Sequence, residues 1–146
     1  MMPPAAPSAG YSGTPLPRKL GLKPGQRAFF AAMPHSVRAE IDPDSVGLML
    51  LEAPEHPIDV AHIFVTDRAD MVAKIDTLRP LLAPTGFIWV SWPKKASKVP
   101  TDITEDSIRA EVLPGGILVD VKVCAVDAVW SGLKLMIRKD MRGDGR

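Results

Sequence analysis

The chain reads as a single α/β domain: a mixed, mainly parallel sheet with helices on its faces and a β-hairpin at its C-terminal end. Three observations lead there. Residues 58–65 and 87–91 are short and almost wholly apolar, as strands buried on both faces require. Between them Met71, Ile75, Leu78 and Leu82 recur at helical spacing, so a crossover helix joins the two strands. Beyond residue 116, two β-rich runs at 119–126 and 133–138 flank a short turn-forming segment, the pattern of an antiparallel hairpin. Parallel sheets of this kind take ligands beyond the carboxyl ends of their strands.

The elements follow in order. Thr14 and Pro15 predict the start of a short helix, with Thr14 as cap and Pro15 at the first helical position, where a missing N–H costs nothing. Gly21 can end it in a left-handed conformation. Pro24-Gly25 turns into a strand over 27–32. A brief helix over 36–41 and a second strand over 46–51 come next. Thr66 or Asp67 caps the crossover helix, Pro80 interrupts it, and Pro84 to Gly86 ends it. Trp89, inside the following strand, reads as a core residue. The last helix has the clearest start: Thr104 caps it, Glu105 and Asp106 sit near the positive end of its dipole, and Ile103 can staple to Ile108. Pro114-Gly115-Gly116 stops it.

At 146 residues, with 46% hydrophobic and 24% charged, the chain can bury a core without metal or disulfide help. Residues 1–10, rich in proline, alanine and serine, and 140–146, charged and glycine-containing, read as flexible tails around a domain at 11–139. A formal charge of +1 sets up no global field toward nucleic acid or an anionic membrane. The single cysteine, Cys124, excludes an internal disulfide and fits a reducing compartment. No run approaches the ~18 apolar residues of a membrane span. The N-terminus lacks the basic start and apolar segment of a secretory signal. The expectation is a soluble, cytoplasmic protein.

Catalytic motifs are missing. There is no G-x-S-x-G, no P-loop, no H-E-x-x-H and no paired C-x-x-C. Of His35, His56 and His62, the last lies in an apolar strand and reads as a hydrogen-bonded core histidine. Cys124 shares a strand face with Lys122, but no motif supplies it with a base. No catalytic residue, metal ligand or cofactor is assigned.

A binding rim can be assigned. If the strands ending at Ala32, Val65 and Ser91 are parallel, and the strand ending at Val126 runs the same way, their following loops share one edge. That edge gathers His35, Thr66, Asp67, Trp92, Lys94, Lys95, Asp127 and Trp130. Two indole rings beside two ammonium groups would hold a planar or anionic ligand by stacking and charge. A structural reading stands beside this one: tryptophans packed under loops, Lys94, Lys95 and Lys98 solvated, and Asp67 capping a helix. The expected partner is a small anionic ligand or a protein. Lys94, Lys95 and Lys98 beside Trp92 also resemble a nucleic-acid contact. Against it stand the 5% aromatic content and the near-neutral charge. A third reading is a homodimer formed through the hairpin edge at Leu135 and Ile137.

Two families resemble the chain. The order helix, strand, crossover, strand and terminal hairpin is similar to a class I methyltransferase domain, a Rossmann-like fold. LKPGQRAFFAAMPHS stands where such enzymes begin their sheet, and LRPLLAPTGFIWVSW looks like their segment before a late strand. The resemblance implies methyl transfer from S-adenosylmethionine, the alternative reading of function. The chain departs from the pattern at the turn after the first strand, where Ala31, Ala32, Met33, Pro34, His35 and Ser36 include no glycine. Glu52 stands where an acid follows the second strand. The second resemblance rests on Tyr11-Ser12-Gly13-Thr14-Pro15-Leu16, Trp92-Pro93-Lys94-Lys95-Ala96-Ser97, Thr101-Asp102, Lys122-Val123-Cys124, Asp127 and Trp130-Ser131-Gly132-Leu133. These resemble the uncharacterised bacterial domain-of-unknown-function family three-thousand-fifty-two. It implies a small cytoplasmic bacterial protein with no family-level activity. The leading expectation is therefore a non-enzymatic or catalytically degenerate binding module.

Overall fold

The computed structural model describes residues 13–142. Six strands form one sheet: β1 (Arg27–Ala31), β2 (Met49–Leu50), β3 (Ile58–Phe64), β4 (Leu82–Pro93), β5 (Leu118–Ala125) and β6 (Trp130–Ile137). Their spatial order is β2-β1-β3-β4-β6-β5. β1 to β4 are parallel, and β6 runs antiparallel to both β4 and β5. The hairpin thus turns back into the sheet: its second strand is internal, and its first strand is the edge, running in the same direction as β4.

Five helices cover the sheet: α1 (Leu16–Lys19), α2 (His35–Ile41), α3 (Pro43–Val46), α4 (Arg68–Leu78) and α5 (Glu105–Val112). Strand alternation sorts the core into two layers. Ala61, Ile63 and Val65 with Ile88, Val90, Trp92, Leu133 and Leu135 pack against Met71, Ile75 and Leu78 of α4 and Ile108 and Val112 of α5. Val60, Phe64, Phe87 and Trp89 pack on the other side against Leu16 and Leu20 of the α1 segment and Val37 and Ile41 of α2. Trp89 is fully buried and its indole N–H donates to the Leu20 carbonyl at 2.9 Å, tying the α1 turn to the middle of the sheet.

Local signals explain most element ends. Thr104 accepts from the Ser107 amide at 3.0 Å while Ser107 Oγ accepts from the Thr104 amide at 2.8 Å, a reciprocal capping box, and the flanking Ile103 and Ile108 are buried. Gly21 and Gly116 take positive φ at turns where a Cβ would be strained.

Several expectations are corrected. Pro15, not Thr14, is the N-cap of α1, with no side-chain cap bond. Val46 belongs to α3, and the second strand shrinks to Met49–Leu50. Pro84 to Gly86 do not end the crossover helix. α4 stops at Leu78 and tightens into a 3-10 turn around Pro80, and Leu82 already pairs with Ile58. The register then slips between Ile58 and Val60, so residues 83–86 lie in an irregular stretch inside β4. Leu135 is fully buried because β6 is internal, so it cannot meet a second copy; the exposed apolar residues on the edge strand are Val121 and Val123. Residues 1–10 lie outside the described residues. Residues 143–146 also lie outside them; before these, a 3-10 turn spans Lys139–Met141 and Arg142 Nε donates to the Ile137 carbonyl at 2.9 Å.

Gly86 gives a sharp test of the irregular stretch. A Cβ there would lie 2.5 Å from the Ile58 carbonyl oxygen, whereas one at Gly115 meets nothing within 4 Å. Gly86→Ala should cost at least about 2 kcal/mol in urea unfolding. Gly115→Ala should stay within about 0.5 kcal/mol. Equal losses would reject the close backbone approach.

Candidate functional site

The carboxyl ends of β1, β3, β4 and β5 do share one rim. The Lys94 amide donates to the Val129 carbonyl at 2.6 Å, and Pro93 pairs with Trp130, so the loop after β4 and the β5–β6 turn meet there. The alternation of side chains then decides what each residue can do.

Trp92 and Trp130 stand on opposite faces of the sheet. Trp92 pairs with Ser131, is 7% exposed, and belongs to the α4/α5 layer. Trp130 pairs with Pro93, is half-buried, and packs against the α1/α2 layer, edge-on to Phe64 at 5.0 Å between centroids. The expected pair of indole rings around one ligand is therefore corrected: neighbouring register positions point to different layers.

The acidic residues of the rim cap backbone. Asp67 is the N-cap of α4 and accepts from the Asp70 amide at 2.8 Å. Asp102 accepts from the Arg68 amide at 2.7 Å, and Thr101 Oγ1 donates to the Thr66 carbonyl at 2.7 Å. The segment after β4 thus folds back over the end of β3, and two carboxylates already occupy the first turn of α4, where an anion would otherwise dock. Asp127 Oδ1 accepts from both the Val129 and Trp130 amides at 2.8 Å, shaping the hairpin turn. Lys94 is half-buried and Lys95 exposed. His35, exposed in the first turn of α2, lines an open depression of about 310 Å³ with Arg38 and Asp42. The rim therefore brings Lys94, Lys95 and Trp130 to one end, while Trp92 faces the other layer.

A second hollow lies where the sequence offers no helix. Residues 51–57 carry the chain from β2 back to the start of β3 across β1, a crossover that ordinarily takes ~12 residues or more with a helix. Phe29, Ala31, Pro54, Ile63 and Leu78 consequently line an apolar groove of about 240 Å³ beside α4.

Two titratable groups are held in unreactive forms. His62 is buried, its Nε2 lies 2.7 Å from Ser91 Oγ, and its ring stacks on Phe64 at 4.5 Å. Burial lowers its pKa to about 3. Burial pushes the Cys124 thiol up, against the opposing pull of Lys19 and Lys122, so the thiolate is scarce. Among the described residues no group of three or more His, Cys, Asp or Glu could hold a metal ion. No helix among them is long and apolar enough to cross a membrane. Sequence reasoning missed the Thr101–Asp102 clamp; its only signal was a hydroxyl and a carboxylate just before the next helix cap.

The His62 environment predicts a pH dependence. The folded protein keeps the ring neutral down to about pH 3, whereas the unfolded chain binds a proton near pH 6.5. Stability from this group is full above pH 6.5 and falls as pH drops toward 3, by at most about 1.4 kcal/mol per pH unit. Urea unfolding between pH 7.5 and 5 should show that slope, and His62→Gln should flatten it. An unchanged slope in the variant would assign it to other groups.

No family model matches the chain, and no curated protein matches it significantly. Solved structures do. A SAM-dependent methyltransferase from Aquifex aeolicus superimposes with a TM-score of 0.58 at 15% identity, over 82% of this chain and 86% of that one. The ribosomal protein L11 methylase from Lactobacillus delbrueckii subsp. bulgaricus gives a TM-score of 0.51 at 10% identity, over 84% of this chain and 74% of that one. TrmN from Thermus thermophilus gives 0.51 at 11% identity, and the chain spans 47% of its length. At these identities the likeness is one of architecture: a methyltransferase-like Rossmann fold.

Proposed function

We propose that the chain is a methyltransferase-fold binding module without the fold's chemistry, whose partner is a small anionic ligand or another protein. The observation that carries this reading is the turn after β1. At the β1/β3 crevice, where the sheet reverses its strand order, such folds use glycines so that backbone can approach a nucleotide closely. Here Ala32 holds a left-handed φ of 58° with its Cβ in place. Met33 turns into the α1/α2 layer as a half-buried packing residue, and Pro34, the N-cap of α2, has no N–H to give. These residues do not fit an adenosyl cofactor.

A second reading is a divergent S-adenosylmethionine-dependent methyltransferase. It is supported by the fold likeness to the Aquifex aeolicus protein and by Glu52, an exposed carboxylate two residues beyond β2. Calorimetric titration with S-adenosylmethionine separates the two. The binding-module reading expects no saturable heat up to millimolar ligand. A micromolar dissociation constant would overturn it in favour of the enzyme. Trp92→Ala should act on the fold alone, costing about 3–5 kcal/mol as a buried aromatic. Lys94→Ala/Lys95→Ala should leave stability within about 0.5 kcal/mol.

A further inference from the structure

Charge is distributed unevenly along the chain. The first 39 residues contain Arg18, Lys19, Lys23, Arg27 and Arg38 and no acidic residue, so they carry +5 of a total of +1. The rest of the chain, with 13 basic and 17 acidic residues, carries −4. Folding brings part of the basic segment against the hairpin. Lys122 and Lys134 occupy directly opposed positions of β5 and β6, a like-charge pairing that destabilises a sheet. Lys122 Nζ reaches the Lys19 carbonyl at 3.2 Å, and Lys19 Nζ reaches the Ala125 carbonyl at 2.8 Å. Lys134 Nζ lies 4.1 Å from the Phe87 ring centroid and beside Gly21, where a Cβ would sit 3.6 Å from it.

Among the described residues, none of Lys19, Lys23, Lys122 and Lys134 pairs with a carboxylate, although seven ion pairs form elsewhere. The strain registers on Lys134, whose ammonium is pushed below its ordinary range by burial first and then by repulsion from Lys122 and Lys23. Solvated lysines spread apart; Lys19, Lys122 and Lys134 instead come together from α1 and both hairpin strands, with Lys23 on the loop two residues beyond Gly21.

We propose that Lys19, Lys23, Lys122 and Lys134 form a site for a compact, multiply charged phosphate anion. Ammonium groups act on phosphate as point charges, and several of them at one place favour a ligand carrying several negative charges in a small volume. A nucleic-acid strand would need exposed rings for its bases, and the ring at this site, Phe87, is 6% exposed beneath Lys134.

Inorganic tripolyphosphate titrated calorimetrically into the full chain tests this. Saturable binding at one site is expected, weakening as salt rises. Lys122→Ala/Lys134→Met keeps an apolar stem over Phe87 and should weaken binding at least tenfold; Lys23→Ala, at an exposed position, should weaken it several-fold. Lys94→Ala/Lys95→Ala should leave it unchanged. With no anion present, Lys122→Ala should raise the thermal midpoint, a readout independent of binding. Equal binding in all variants, loss in the Lys94/Lys95 variant, or no binding at low salt would overturn the proposal. So would tighter binding of single-stranded RNA that the same lysine variants abolish.

Discussion

The insertion of β6 between β4 and β5 governs both the core and the rim through one register. Ser131 lies opposite Trp92, Gly132 opposite Ser91, and Trp130 opposite Pro93. A slip of one residue would exchange the two faces of β6, bringing Trp130 toward the α4/α5 layer and expelling Leu133 and Leu135 from it. Gly132 helps hold the register, because a Cβ there would lie 3.1 Å from the Trp89 ring and 3.3 Å from Val126. Trp89 in turn holds α1 through the Leu20 carbonyl. The packing of the middle strands and the placing of the hairpin turn are one constraint.

The rim shows how polar side chains at a ligand edge can be consumed by structure. Asp67, Asp102 and Asp127 each neutralise backbone amides that would otherwise lack partners, and Thr101 closes onto the end of β3. Trp92, Thr101-Asp102, Asp127 and Gly132 serve packing, capping and clearance.

Much of the fold was legible because its signals are local. Apolar runs marked β3 and β4, helical spacing marked α4, and Thr104 with its staple marked α5. Capping chemistry narrowed the start of α4 to Thr66 or Asp67, and Asp67 is the cap. What escaped was set by pairing between distant segments. Pro84 to Gly86 look like a helix stop until Leu82 is seen to pair with Ile58. Leu135 looks like an edge residue until β6 is known to be internal. The two tryptophans look like companions until the register assigns them to different layers. Lys19, Lys23, Lys122 and Lys134 are dispersed along the chain, and only their long-range packing makes them neighbours.

The helix-free return from β2 to β3 leaves the sheet unequally armoured. The β4–β6–β5 half is clamped by α4 and α5 on one side and α1 on the other, whereas Phe29 and Ala31 of β1 lie in an open groove between Pro54 and the α4 residues Ala73, Thr77 and Leu78. β2 adds just two paired residues beyond β1. Sub-global opening should therefore begin at this thin corner, with β1, α2 and β2 peeling as one foldon while the hairpin half stays protected.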